Sequence, residues 1–254
     1  MTELRALIFD VDGTLADTER EGHRVAFNRA FEEAGYDWNW SDSLYSELLA
    51  VTGGKERLRF YLNDYLPDFQ PPEDLEQFIV RIHALKNKHY QELLSAGAVP
   101  LRPGVKRLIA EARENGLRLA ISTTSAVPNV LAVLGEMLDP AWFEVIAAGD
   151  MVTTKKPAPD IYYYALEQMD LPAADCLVIE DSHHGFQAAH EAGLKAVVTV
   201  NEYTKAEDFT GACLVVDSLG EPNQPFRVLA GDAGGATYAD LALLRRLHGG
   251  NGNG

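Results

Sequence analysis

Long apolar runs, basic clusters and cysteines are all scarce in this sequence, and each scarcity argues against a class of protein. No stretch of the 254 residues approaches the ~18 uninterrupted apolar positions of a membrane-spanning helix, and the N-terminus lacks the basic-then-apolar pattern of a signal peptide. The net charge is −16 and no basic run occurs, which argues against DNA, RNA or an anionic membrane as a partner. We expect a monomer in the cytoplasm, or in the plastid stroma if a transit segment has been removed.

The sequence holds two cysteines, Cys176 and Cys213, and both lie in apolar, strand-like runs. Such positions are typical of small core residues, so we predict neither a disulfide nor a cysteine metal site. With 46% hydrophobic residues, the chain can bury a large core, as one domain or as one domain with a smaller insert.

Short apolar runs alternate with helical stretches from residue 103 onward, which predicts an α/β fold with a doubly wound parallel sheet. Runs without polar alternation are typical of strands that are covered on both faces. The six runs are ALIFDVD, LRLAIST, FEVIAAGD, DCLVIED, KAVVTV and ACLVVDS. After Asp217 the chain offers one last helix, YADLALLRRLH, before a GGNGNG end for which we predict fraying.

Residues 17–97 interrupt this alternation with four helical stretches and no convincing strand. An all-helical block after the first strand predicts a separate cap domain. We therefore assign residues 1–16 and 98–254 to an α/β core, and residues 17–97 to a helical cap.

Chemically active side chains follow the predicted strands. In chain order they are Asp10 with Asp12, Ser122 with Thr123, Lys156, and Glu180 with Asp181. Ligands of parallel sheets bind at the carboxyl ends of the strands, and this set combines oxygen ligands for a hard cation with groups that bind phosphate. Each group alone is typical of a helix cap or turn, but together they predict a magnesium and phosphate site. A calcium EF-hand is excluded because Leu15 stands where its loop needs glycine.

This ordered set resembles the haloacid dehalogenase superfamily, whose phosphatases share an Asp-x-Asp-x-Thr first motif and carry a helical cap after it. The resemblance covers essentially the whole chain, and it implies a magnesium-dependent phosphatase rather than a dehalogenase because Asp12 is present. It implies that Asp10 is the nucleophile, which forms an aspartyl-phosphate, and that Asp12 is the acid and base.

The same resemblance implies the remaining roles at the strand ends. Ser122, Thr123 and Lys156 would hold the phosphoryl group. Mg²⁺ would be held by Asp10, by the main-chain carbonyl of Asp12 and by Asp181, with Glu180 binding directly or through water.

The stretch VTGGKERLRFYL, residues 51–62, is the most informative part of the cap. Gly53 and Gly54 separate two helices, and Lys55 and Arg57 fall in the first turn of the second helix. Cations are unfavourable at that end of a helix, whereas an anion is favoured there. We therefore predict a site for a second phosphate, with a plain turn that carries solvated charges as the alternative.

Four stretches together resemble the CbbY family, phosphatases that act on xylulose 1,5-bisphosphate: DVDGTLADTE, TGGKER, STTS with Asn129 beyond it, and KKPAPDIY. The resemblance implies a sugar bisphosphate that is converted to xylulose 5-phosphate and phosphate. It places Glu19 against sugar hydroxyls, and Ser125 and Asn129 beside the phosphate or the sugar. It also places Thr52 with the glycines and cations of the TGGKER stretch.

One position departs from the family pattern. Relatives commonly carry a histidine four residues after the position of Thr18, but here Gly22 stands there and His23 follows one residue later. One residue turns an α-helix by about 100°, so we assign no role to His23.

Two alternative functions remain. LKNKHY, with Lys86 as a candidate phosphate contact, also resembles β-phosphoglucomutase, which returns the phosphoryl group to a sugar instead of to water. A non-catalytic binding or signalling module related to receiver domains would carry a similar acidic cluster, but receiver domains lack a helical insert after the first strand.

Overall fold

A computed structural model describes residues 3–250 of the chain. The chain divides into two compact units, one formed by Met1–Ala16 with Leu101–Gly254 and the other by Asp17–Pro100. Residues 98–100, which the sequence-based boundary gives to the α/β core, thus belong to the helical unit. No helix within the described range is long and apolar enough to cross a membrane. The last four residues of the GGNGNG end lie outside the described residues.

The α/β unit is built on one seven-stranded sheet. Its strands are β1 (Ala6–Phe9), β2 (Arg118–Ser122), β3 (Val145–Ala147), β4 (Cys176–Glu180), β5 (Lys195–Thr199), β6 (Leu214–Val216) and β7 (Val228–Gly231). Their order is β3-β2-β1-β4-β5-β6-β7. Strands β1 to β6 are parallel, and β7 pairs antiparallel with β6. The predicted doubly wound parallel sheet is therefore confirmed.

Strand β7 is the part of the sheet that the sequence pattern does not predict. All four of its residues are exposed, and it lies at the edge of the sheet. An edge strand is held by hydrogen bonds to one neighbour, so it needs no run of buried apolar residues and leaves no such run in the sequence.

The α-helices of this unit are α5 (Val105–Glu114), α6 (Val127–Met137), α7 (Asp160–Met169), α8 (His183–Glu191) and α9 (Leu241–Gly249). Helices α6, α7 and α8 connect successive parallel strands, α5 precedes β2, and α9 follows the last strand. Ala6, Ile8 and Val178 of the sheet share one buried cluster with Tyr162 of α7 and Ala188 of α8. Side chains alternate along a strand, so the residues between these face the other side, where α5 contacts β2. Both faces are covered, as the unbroken apolar runs predict.

The helical unit contains a π-helix, Glu19–Arg24, followed by α1 (Val25–Glu33), α2 (Asp42–Leu48), α3 (Gly54–Tyr65) and α4 (Leu75–Ser95). Polar caps set two of the starts, since Ser41 accepts from the N–H of Leu44 and Asp74 accepts from the N–H of Glu76. Aromatic side chains fill the interior; the rings of Phe27 and Trp40, for example, lie 4.4 Å apart.

Candidate active site

The carboxyl ends of three adjacent strands bring the candidate catalytic residues together. Asp10 directly follows β1, Ser122 ends β2 and Glu180 ends β4. Strand β1 lies between β2 and β4 in the sheet, so these side chains meet at one edge. The N–H of Asp10 donates to the carbonyl of Ile179 over 3.0 Å, which extends the pairing of β1 and β4 to the site itself.

Lys156 joins these strand ends through its ammonium group. Nζ donates to Oδ1 of Asp10 over 2.8 Å, to Oε1 of Glu180 over 2.5 Å and to the carbonyl of Ser122 over 2.9 Å. The side chain is buried, and its three donors are directed at groups from three different strand ends. The ammonium therefore has a fixed position beside the Asp10 carboxylate.

The Glu180 carboxylate is enclosed by donors on both oxygens. Besides Lys156, Oε1 accepts from the hydroxyl of Tyr162 over 2.8 Å, and Oε2 accepts from the N–H of Asp181 over 3.0 Å. Gly185 packs so closely that a Cβ at this position would lie 1.9 Å from Oε1. This carboxylate is rigidly held.

Asp181 is held by the turn after β1 and by the segment after β5. Its Oδ1 accepts from the hydroxyl of Thr14 over 3.1 Å, and its Oδ2 accepts from Nδ2 of Asn201 over 2.6 Å. Gly13 has φ +90°, and a Cβ there would lie 2.4 Å from Oδ2 of Asp181. The turn therefore requires glycine for its conformation and for its close approach to the carboxylate.

Three buried carboxylates, those of Asp10, Glu180 and Asp181, lie with one oxygen of each within 4.8 Å of the others. Burial raises the pKa of Asp10 to about 8, with Lys156 acting in the opposite direction and Glu180 and Asp12 adding to the rise. Burial and then Asp10 raise the pKa of Asp181 well above its usual value. Burial would lower the pKa of Lys156, but Asp10 and Glu180 outweigh it and raise this pKa. With all three carboxylates ionised, the cluster would carry more negative charge than one ammonium offsets, which suits a divalent cation.

The hydroxyl groups after β2 have different surroundings. Oγ of Ser122 is buried and has no hydrogen-bond partner among residues 3–250, whereas Oγ1 of Thr123 accepts from the N–H of Ser125 over 3.2 Å. Oγ of Ser125 donates to Oδ2 of Asp12 in a short hydrogen bond. Asn129 is buried on α6. Ser125 thus contacts Asp12, the residue predicted to act as acid and base, and the sequence does not indicate this contact.

In the helical unit, Glu19 and Arg57 are brought together through Tyr45. The hydroxyl of Tyr45 donates to Oε2 of Glu19 over 2.5 Å and accepts from Nη1 of Arg57 over 2.8 Å. Nη1 of Arg57 is also 3.7 Å from Oε2 of Glu19, and its Nε donates to the carbonyl of Leu48 over 3.2 Å. The charge of Arg57 is therefore directed at a carboxylate.

Lys55 and Arg57 do not form the pair that the sequence suggests. Lys55 is exposed and Arg57 is buried, because residues two apart on a helix lie on different faces. Thr52, Gly53 and Gly54 are half-buried at the start of α3, and Gly53 takes φ +98° at the N-cap position.

His23 is buried despite its displaced position in the sequence. The π-helix Glu19–Arg24 accommodates one more residue per turn than an α-helix, so it compensates for the shift of one residue. The His23 ring lies 4.1 Å from that of Tyr90. Nζ of Lys86 lies 4.9 Å from the Tyr90 ring centre, and Lys86 is also buried.

Sequence reasoning missed several residues that hold the site. Tyr162 belongs to the KKPAPDIY stretch, yet nothing in that pattern indicates its bond to Glu180. Asn201, Arg102 and Tyr45 carry no motif at all. Each contacts groups that are distant along the chain, so a single sequence offers no signal for them.

Comparison with known proteins agrees with this geometry. Residues 4–193 match the family model described as haloacid dehalogenase-like hydrolase. The chain is 47% identical to the plasmid-encoded protein CbbY of Cupriavidus necator over 248 residues, which cover 96% of this chain and 97% of that one. A crystal structure of a mutant CbbY from Rhodobacter sphaeroides, in complex with xylulose-(1,5)bisphosphate, matches with TM-score 0.77 and 44% identity, covering 85% of this chain and 94% of the other. A crystal structure of β-phosphoglucomutase from Clostridium difficile matches with TM-score 0.68 and 25% identity, covering 86% of this chain and 92% of the other.

The fold, the strand-end site and the match over most of the length define a phosphatase of the haloacid dehalogenase class. The chain belongs to the haloacid dehalogenase-like hydrolases and, among them, to the CbbY proteins.

Proposed function

We propose that the protein is a magnesium-dependent phosphatase that hydrolyses a sugar bisphosphate through an aspartyl-phosphate, with xylulose 1,5-bisphosphate as the substrate. The observation that carries the proposal is the Lys156 ammonium fixed between Asp10 and Glu180 at the strand ends. The CbbY protein that matches this chain in complex with xylulose-(1,5)bisphosphate supports the choice of substrate.

Asp10 is the proposed nucleophile. One of its carboxylate oxygens attacks phosphorus, the bond from phosphorus to the ester oxygen breaks, and Asp12 gives its proton to the leaving oxygen. Asp12 then takes a proton from water, whose oxygen attacks phosphorus and displaces Asp10 as phosphate forms. The hydrogen bond from Ser125 holds the Asp12 carboxyl for both proton transfers.

Lys156, Ser122 and Thr123 are the proposed phosphoryl-binding groups. The ammonium stabilises the charge that spreads over the phosphoryl oxygens in the transition state. The buried Ser122 hydroxyl has no partner in the part of the chain that the structure describes, so a phosphoryl oxygen would satisfy a polar atom that is costly to leave unpaired. This fits a phosphate in the site.

The buried carboxylate cluster fits Mg²⁺, since hard cations are bound by such oxygens. Asp10, Asp181 and the main-chain carbonyl of Asp12 would hold the ion, and Glu180 would bind directly or through water. When bound, Mg²⁺ offsets the charge of the carboxylates and that of the phosphoryl group.

The helical unit provides the proposed contacts for the rest of the substrate. Glu19, held by Tyr45 and Arg57, would accept hydrogen bonds from sugar hydroxyls. The N-terminus of α3, after Thr52 and Gly53, suits the second phosphate, because the N–H groups and the positive dipole end of a first helical turn favour an anion. Lys55 and Lys86 are the proposed cations for that phosphate. Within the α/β unit, Ser125 and Asn129 are the proposed contacts for the phosphate or the sugar.

We also propose that the protein acts as a cytoplasmic monomer on free metabolites. The net charge of −16 and the lack of a basic run support small molecules over nucleic acids or membranes as partners. A small anion approaching such a chain needs local positive charge and a cation, which the proposed site provides.

Phosphate release with Mg²⁺ from a panel of sugar mono- and bisphosphates tests the proposal, with Asp10→Asn as the blank. A strong preference for xylulose 1,5-bisphosphate is the expected result. Little release, combined with conversion of β-glucose 1-phosphate to glucose 6-phosphate, would contradict it and indicate a mutase.

A further inference from the structure

Arg102 makes an unusually extended set of contacts directly behind the site. Its Nη1 donates to the carbonyl of Gly13, to the carbonyl of Thr199 over 2.6 Å and to the hydroxyl of Thr199 over 3.0 Å. Its Nη2 donates to the carbonyls of Val200 over 2.6 Å and Asp217 over 2.8 Å. One guanidinium thus joins the turn after β1 to the ends of β5 and β6.

The two residues that Arg102 connects, Gly13 and Thr199, each lie next to candidate catalytic groups. Gly13 stands between Asp12 and Thr14, and its α-carbon faces the Asp181 carboxylate so closely that no side chain fits. On the other side, the Thr199 hydroxyl is 3.5 Å from the carbonyl of Glu180, which it can reach as donor. The guanidinium therefore connects the main chain of the first motif with the main chain of the acidic motif on β4.

We propose that Arg102 is a positioning residue of the active site, which sets the separation between the Asp12–Thr14 turn and the carboxylates of Glu180 and Asp181. Arginine suits this task because its planar fork directs five N–H groups at fixed angles, and its charge is permanent. Lysine has the same charge, but its single ammonium nitrogen carries three N–H donors and cannot serve the five acceptors that Nη1 and Nη2 of Arg102 contact. The test by Mg²⁺ binding rests on the proposed magnesium site, whereas the test by kcat does not.

The positioning role predicts a specific effect for Arg102→Lys. Residues that orient metal ligands or reacting groups commonly affect metal affinity or activity by about 10- to 100-fold. We expect kcat for phosphate release to fall at least about 10-fold and Mg²⁺ binding, measured by calorimetry, to weaken by a similar factor. KM should change little, because Arg102 contacts no group proposed to bind the sugar.

Arg118→Lys is the matched control. Arg118 also donates to a main-chain carbonyl, that of Met169 over 2.6 Å, and it pairs with Glu144, but it lies at the start of β2, away from the carboxyl ends. The control should lower the melting temperature as Arg102→Lys does, with kcat and Mg²⁺ affinity unchanged. Equal losses of kcat in both variants would mean that lost stability explains the effect, and would overturn the inference.

A folded Arg102→Lys protein whose kcat and Mg²⁺ affinity both stay within twofold of the wild-type values would also overturn it. Should Arg102→Lys not fold, Thr199→Val removes only the hydroxyl that links Arg102 to Glu180, and about 10-fold weaker Mg²⁺ binding is expected. Unchanged binding in that variant would refute the inference. If the wild-type protein itself binds no Mg²⁺, the proposed metal site fails, and kcat of Arg102→Lys alone decides the role of Arg102.

Discussion

The metal-free protein should lose stability as the pH rises from 5 to 7, opposite to the usual behaviour of proteins rich in carboxylates. Burial raises the pKa of Asp10 from 3.8 in the unfolded chain to about 8 in the folded protein. Between these values the folded state binds the proton more strongly. Stabilisation by that proton is complete below about pH 4, and it is lost progressively up to about pH 8.

The expected magnitude follows from linkage. One proton bound only by the folded state changes the free energy of unfolding by about 1.4 kcal/mol per pH unit, so Asp10 alone gives a loss of ~3 kcal/mol between pH 5 and pH 7. The pKa of Asp181 is shifted in the same direction by burial and by Asp10, so it adds to the loss. Mg²⁺ should reverse the loss, and more so at pH 8 than at pH 6, because its ligands must be deprotonated.

Urea unfolding in EDTA, followed by circular dichroism at several pH values, measures this slope. Hydrogen exchange of the β1 and β4 amides, measured at the same pH values, shows whether the loss of stability occurs in the α/β unit. Asp10→Asn is the control, because it keeps the size of the side chain and cannot titrate; its loss of stability should be about 1.4 kcal/mol per pH unit smaller than that of the wild-type protein. A wild-type free energy of unfolding that is flat or rising from pH 5 to pH 7 would refute the reasoning, as would equal slopes in the two proteins.

Three further predictions concern single side chains. Lys156→Met should lower kcat at least about 100-fold, since it removes the ammonium that faces the phosphoryl group. The control variant Lys155→Met changes the half-buried neighbouring lysine and should keep the wild-type kcat. Arg57→Met should destabilise the helical unit by about 1–3 kcal/mol in urea unfolding, because it removes the buried guanidinium that donates to Tyr45 and faces Glu19. Lys55→Met, at an exposed position, should change stability by less than about 0.5 kcal/mol. Gly185→Ala should destabilise the α/β unit by about 1–3 kcal/mol in urea unfolding, because the added Cβ would lie 1.9 Å from a Glu180 oxygen and must displace it; an unchanged free energy of unfolding would contradict this packing.

Much of the α/β unit could be predicted from the sequence. Unbroken apolar runs identify buried parallel strands, and the rule that ligands bind at their carboxyl ends places Asp10 near Glu180 without any structure. The same reasoning fails for β7, whose four exposed residues carry no pattern. Hydrophobic periodicity records burial, so elements held by hydrogen bonds alone escape it.

The helical unit was less predictable at the level of individual side chains. The TGGKER stretch indicates cations at a helix start, but it cannot tell that Arg57 turns inward to Tyr45 while Lys55 stays exposed. Likewise, the displacement of His23 by one residue suggests a rotated side chain. A π-helix absorbs that residue, and π-helices have no recognisable sequence pattern of their own.

The sequence by itself determined the parallel sheet, the position of the helical insert and the residue types at the strand ends, because each of these depends on neighbours along the chain. The tertiary structure decided which partner each of those residues has. Lys156 lies between Asp10 and Glu180, Ser125 bonds to Asp12, and Arg102 holds Gly13. These contacts join residues 24 to 146 positions apart, and they form only when the sheet order brings separate strand ends to one edge.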